Sequence, residues 1–212
     1  MERPADEARM ALDPRPGERV YQEIKQAILS GEFVILRRLD IDKLASQFGV
    51  SATPVRYALA ILAAERLVKL NASRVYQVAF WSELELRELY QWRQHLTKWA
   101  LQSYVPQAAP AMSPEADYAG AYLMVMEHIG RNANTEVRRA GRSADERLQQ
   151  ALRAEIEAVP GAVDELSRIG ALLDRGGAAL ANKMRRYFDR RIYHCALIRS
   201  AAHAKAMPNN GA

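Results

Sequence analysis

The chain has 212 residues, of which 49% are hydrophobic, and a formal net charge of +5. That length and apolar content suit the cores of two small domains, and the positive surplus, spread along the chain, permits a polyanionic partner without requiring one. The lone Cys195 excludes an intrachain disulfide and fits a reducing compartment, and no apolar run reaches the roughly 18 residues that a membrane helix needs.

Residues 1–16 are polar, charged and proline-bearing, so they are expected to form a flexible arm rather than a signal peptide, with the cytoplasm as default location. Val20, Ile24, Ala27 and Ile28 mark a helix ending near Ser30-Gly31. Ile41, Leu44, Ala45 and Phe48 recur at i, i+3, i+4 and i+7, one face of a second helix, and Gly49 supplies the backbone freedom to end it. A third helix starts either with Ser51 as N-cap or with Thr53 as N-cap and Pro54 in the first turn. Its inward stripe is Val55, Ala58, Leu59 and Leu62, and its outer face carries Ala52, Thr53, Arg56 and Tyr57. A hydroxyl and a guanidinium at the N-terminal end of a helix suit base reading in a DNA groove; a plain helical hairpin with a solvated face is the alternative. Downstream, Leu67 to Leu70 and Arg74 to Phe80 read as two short strands around Asn71-Ala72-Ser73, with Lys69 and Arg74 flanking the tip where phosphates would lie. Three helices followed by a β-hairpin predict a winged helix-turn-helix over residues 17–80.

These residues resemble the GntR family of bacterial transcription regulators. The resemblance rests on Leu44-Ala45 before Gly49-Val50-Ser51, on Thr53-Pro54-Val55-Arg56, on Ala58-Leu59, and on Leu62-Ala63 with Glu65 and Leu67-Val68. It implies a DNA-binding domain, with Arg37, Arg38, Lys43, Ser51, Thr53, Arg56, Tyr57, Lys69 and Arg74 as the expected contacts. The chain departs from the family pattern at Ala52 and Asp42, where relatives often carry arginine, and at Tyr57, where an Arg-Glu pair is usual. Each lost arginine removes a possible bidentate contact to guanine worth about 1–3 kcal/mol of discrimination.

Ser82-Glu83-Leu84-Glu85 fits a capping box opening a helix to about Tyr104. Pro106, Pro110 and Pro114 then break the chain, and Ser113 is placed to cap the next helix. Tyr118 to Ile129 is apolar nearly all round, as in a helix buried in a bundle. Helices are further expected over about Thr135 to Ala158, around Leu166 to Leu173, and from about Ala178 to Ala202. Residues 82–203 thus read as an antiparallel all-α bundle and 204–212 as a flexible tail, which makes the chain mainly α.

The bundle resembles the effector-binding FCD domain of the fatty-acid-responsive GntR subfamily, through Leu89-Tyr90 and Arg93, the Asn132-Ala133-Asn134 turn, and Glu165, Ile169, Leu172-Leu173 and Gly176. The resemblance implies a small carboxylate effector and, in many members, a metal held by one aspartate and three histidines. Here the matching positions are Ala121, Val125, Glu165-Leu166, and Tyr187 or Phe188, so no metal and no cofactor are expected. Two arginines interrupt apolar stripes, Arg93 among Leu86, Leu89, Leu96 and Ala100, and Arg191 among Met184, Phe188, Cys195 and Ile198. A buried guanidinium must meet a carboxylate, either of the protein or of a ligand. The ligand reading gives an anionic metabolite held by Arg93, with Arg191 or His194 helping. The expected whole is a homodimeric regulator, a repressor by default, reading an inverted repeat in double-stranded DNA under metabolite control, with no membrane and no enzymatic activity. One alternative is a helical domain that only dimerises. Another is an enzyme using His194, Cys195 and Glu127 or His128, although adjacent residues of a helix point about 100° apart.

Overall fold

The computed structural model describes residues 16–71, 73–108 and 117–207. The expected arm up to residue 15, the Ser113 cap and residues 208–212 of the expected tail lie outside them. The chain divides into two units, residues 1–79 and 80–212, each with its own core.

In the first unit the helical periodicity produces α1 (Pro16–Ser30), α2 (Ile41–Phe48) and α3 (Ala52–Ala64). Val20, Ile24 and Ile28 of α1 pack with Val55, Leu59 and Leu62 of α3, and Leu44 of α2 joins the same core. Asp40 caps α2, its carboxylate accepting from the Asp42 and Lys43 amides at 3.0 Å each. Gly49 ends α2 in the left-handed region at φ 64°, so that its amide reaches back to the last turn and the chain reverses into α3. A β-carbon there would be strained, which is why glycine stands at this point. Ser51 occupies the N-cap position, which settles the start of α3 in favour of the earlier alternative; its side chain makes no capping hydrogen bond. Pro54 falls in the first turn, where helix amides have no intrahelical partner anyway.

The wing is a sheet of three strands rather than a bare hairpin. β2 (Val68–Leu70) and β3 (Tyr76–Val78) pair antiparallel, and β1 (Arg38–Leu39) adds to the other edge of β3 with Arg38 opposite Gln77. Two residues are too short to announce themselves by alternation, so β1 was not visible in the sequence. It anchors the wing to the segment that enters α2.

The second unit consists, among the described residues, of six helices: α4 (Glu83–Gln102), α5 (Tyr118–Gly130), α6 (Thr135–Ala158), α7 (Ala162–Gly170), α8 (Gly177–Tyr193) and α9 (Cys195–Ala206). α4 starts in the expected capping box: Ser82 Oγ accepts from the Glu85 amide at 3.1 Å, and Glu85 accepts from the Ser82 amide at 2.7 Å. Ser82→Ala is expected to cost this unit about 1 kcal/mol. Urea denaturation followed by tryptophan fluorescence checks this selectively, since the three tryptophans of the chain, Trp81, Trp92 and Trp99, all lie in this unit. α5 is buried on most sides, through Tyr118, Ala119, Ala121, Tyr122, Val125, Met126 and Ile129.

One helix assignment is corrected. The expected single helix from Ala178 to Ala202 is two, because the backbone breaks at His194 and α9 continues to Ala206. No proline or glycine marks the break. The departure is the backbone of His194, at φ −90° and ψ 12°; the buried positions Leu180, Met184, Phe188 and Arg191 of α8 and Cys195, Ile198 and Ala202 of α9 keep the helical spacing across it.

Candidate nucleic-acid interface and buried charges of the helical unit

The outer face of α3 is free of the fold that supports it. Ser51, Thr53, Arg56 and Tyr57 are all exposed, while Val55, Ala58 and Leu59 on the opposite face are buried. An open cleft of about 860 Å³ lies between the first turn of α1 and the N-terminal end of α3, lined by Pro16, Gly17, Ser51, Thr53 and Tyr57. Gly17 allows a close approach here, since a β-carbon on it would stand 3.1 Å from the Tyr57 ring. The other expected contacts are exposed too. Arg37 lies over the Phe33 ring at 4.0 Å and donates to the Glu32 carbonyl, Arg38 sits on β1, Lys43 in the first turn of α2, and Lys69 and Arg74 on either side of the turn joining β2 and β3. Cations and hydroxyls displayed in this way suit phosphate contacts around a helix that meets base edges. Asp42 is exposed and Ala52 half-buried, so neither compensates for the arginine the resemblance would place there.

In the helical unit both buried arginines meet carboxylates of the protein itself. Arg93 on α4 makes a two-pronged pair with Asp145 on α6, Nε to Oδ1 at 2.6 Å and Nη2 to Oδ2 at 3.0 Å, and donates Nη1 to Thr97. Tyr122 donates to the same carboxylate at 2.9 Å. Burial alone would lower the guanidinium pKa, but the Asp145 charge overrides it and the result is raised. Arg191 on α8 donates Nε to Glu155 of α6 at 2.9 Å, Nη2 to Tyr118 at 2.8 Å, and Nη1 to Glu165 of α7. Its guanidinium lies over the Tyr187 ring at 3.5 Å. Glu155, without solvent contact, also accepts from Tyr90 and Tyr118 at 2.6 Å each and from Tyr187 at 3.2 Å. Burial and the adjacent Glu155 raise these three phenols above their ordinary pKa, so they stay protonated and donate.

His194 is not in this network; it stands at the helix break with its ring edge-on to Tyr193 at 5.1 Å. Cys195 is fully buried and its thiol is pushed up to about 12, which leaves the enzyme alternative without a thiolate nucleophile. His128 is buried on α5, and burial lowers its pKa. Among the described residues no group of three or more histidine, cysteine, aspartate or glutamate side chains is placed to hold a metal. Sequence reasoning missed Asp145, Glu155, Tyr118 and Tyr122 as partners of the arginines, and it named Glu165, Tyr90 and Tyr187 only through the resemblance. Asp145 and Glu155 did leave a signal, as acids on the inward stripe of α6 shared with Ala144, Leu148 and Leu152.

Residues 16–74 match the family model of the bacterial regulatory proteins, gntR family. The chain is 36% identical over 74 residues to the gluconate operon transcriptional repressor of Bacillus licheniformis, covering 35% of this chain and 30% of that protein. It is 34% identical over 76 residues to the HTH-type transcriptional repressor GlaR of Escherichia coli, covering 36% and 34%. The chain thus matches about a third of the length of these curated relatives. Its fold is similar to that of a GntR-type transcriptional regulator of Rhodococcus sp. RHA1, with a TM-score of 0.69 and 19% identity over 85% of this chain and 97% of that one. All three are described as regulators, none as an enzyme. No helix among the described residues is long and apolar enough to cross a membrane. Over residues 16–74 the N-terminal unit is therefore similar to the gntR family of bacterial regulatory proteins.

Proposed function

We propose that the chain is a sequence-specific transcriptional regulator, acting as a repressor, whose N-terminal unit binds an inverted-repeat operator as a homodimer. The observation that carries this reading is α3, whose buried face is committed to the core while Ser51, Thr53, Arg56 and Tyr57 remain unshielded at its N-terminal end. The repressor names of the two relatives supply the sign. The finer part of the proposal is that a small anionic metabolite bound by the helical unit alters DNA affinity, by no more than its difference in affinity for the two forms of the dimer. Pairing within the fold changes which arginine suits that role. Arg93 is held two-pronged by Asp145, whereas Arg191 shares Glu165 with Arg190, a guanidinium that keeps 40% of its side-chain surface.

Selection from random duplex DNA tests the reading. The expected outcome is enrichment of one pseudo-palindromic sequence, with binding that weakens as salt rises. Recovery of unrelated sequences held equally well would remove the claim of sequence-specific regulation.

A further inference from the structure

We propose that Glu165 is an internal stand-in for an anionic ligand, and that a small carboxylate binds the helical unit by displacing it from Arg190 and Arg191. The inference rests on reading the helical unit as the effector-binding part of the chain, and it names the site and the chemistry.

Glu165 Oε2 is shared by two guanidiniums, Arg190 at 3.3 Å and its neighbour Arg191. The two carboxylates that balance them are not equivalent. Glu155 has no solvent exposure and is held by three phenols as well as by Arg191, so it cannot leave without stripping four hydrogen bonds. Glu165 keeps 12% of its side-chain surface, and Arg190 beside it keeps 40%. Arg191 itself is fully buried: Nε and Nη2 are held by Glu155 and Tyr118, while Nη1 is held by the Tyr187 carbonyl and by Glu165, the partner that keeps some exposed surface.

The charges decide what can enter. If Glu165 swings out with nothing in its place, the buried Arg191 keeps one carboxylate near it while two guanidiniums face each other, which is costly. A neutral molecule does not repair this. A carboxylate does, since it offers an anionic oxygen to the same two donors, and the exchange replaces one charge-assisted contact by another. The location makes the exchange consequential. Glu165 lies on α7, a nine-residue helix entered through Gly161 at φ 69° and followed, after a short turn, by Gly176 and Gly177, also at positive φ. Arg190 holds both the start of this segment, by donating to the Pro160 carbonyl at 2.7 Å, and its first turn through Glu165. Losing the Glu165 contact thus leaves α7 tied to the end of α8 by the Pro160 carbonyl and by packing of its buried residues, without that ion pair.

Chemical rescue in the full chain tests this, with propionate as probe. Glu165→Ala is expected to lower Tm, and propionate to restore it saturably, binding at least tenfold more tightly than to the unsubstituted chain, where Glu165 competes. Adding Arg190→Ala to Glu165→Ala should weaken propionate at least fivefold, and chloride at equal ionic strength should not substitute for it. If Glu165→Ala fails to fold cooperatively, Glu165→Gln keeps the shape without the charge and should bind propionate more tightly than the unsubstituted chain. Equal propionate affinity with and without Glu165, or a rescue matched by chloride, overturns the proposal. A gel shift on the selected DNA separates it from the reading it rests on. Saturable rescue without any change in DNA affinity keeps the carboxylate site and removes its effector role; no saturable binding removes the site whatever the DNA does.

Discussion

Arg191→Met is expected to destabilise the helical unit by about 3–5 kcal/mol. Methionine is similar in length and apolar, so little packing is lost; what remains is the Glu155 carboxylate, buried with no solvent contact and no counter-charge. The phenols of Tyr90, Tyr118 and Tyr187 still donate to it, but hydrogen bonds from neutral groups do not replace a cation in a region that water cannot reach. For the same reason the double substitution Arg191→Met, Glu155→Gln is expected to recover much of the loss, because the uncompensated charge goes with its partner. Urea denaturation followed by tryptophan fluorescence measures both, and the cycle yields their coupling. A single-variant loss below about 1 kcal/mol would place this pair in the class of surface ion pairs, against its burial.

Arg56→Ala is expected to weaken binding to the selected duplex by roughly ten- to hundredfold, the equivalent of one bidentate contact to guanine. Arg56 is exposed on the outer face of α3 one turn from its start, so the unfolding midpoint should stay put while affinity falls. Arg56→Lys keeps the charge and loses the planar fork, and is expected to retain the salt dependence while losing preference for the base it meets. The effect is large in this chain because Asp42 and Ala52 stand where the resemblance would supply two further arginines. Titration of labelled duplex at fixed salt checks it, and affinity unchanged within about twofold would move base reading away from α3.

What was legible in the sequence is what is local. The Leu44-Ala45 face, the Gly49 turn, the Ser82-Glu85 box and the inward stripe of α3 depend on neighbours three or four positions away, so residue types and spacing carry them in full. The two arginines could also be located, as polar interruptions of apolar stripes, and the rule that each must meet a carboxylate held. Which carboxylate was a different matter. Asp145 lies 52 positions from Arg93, and Glu155 and Glu165 lie 36 and 26 from Arg191, so nothing in the spacing links them. Likewise the pairing of Arg38-Leu39 with β3 joins segments far apart in the chain, and no proline or glycine marks the break at His194. The sequence by itself determined a helix with an exposed polar face on a small winged unit, followed along the chain by a helical bundle. Only the tertiary structure decided that the bundle's buried charges are neutralised from within, because a charge removed from water is satisfied by whichever partner the fold brings near, however far away it lies along the chain.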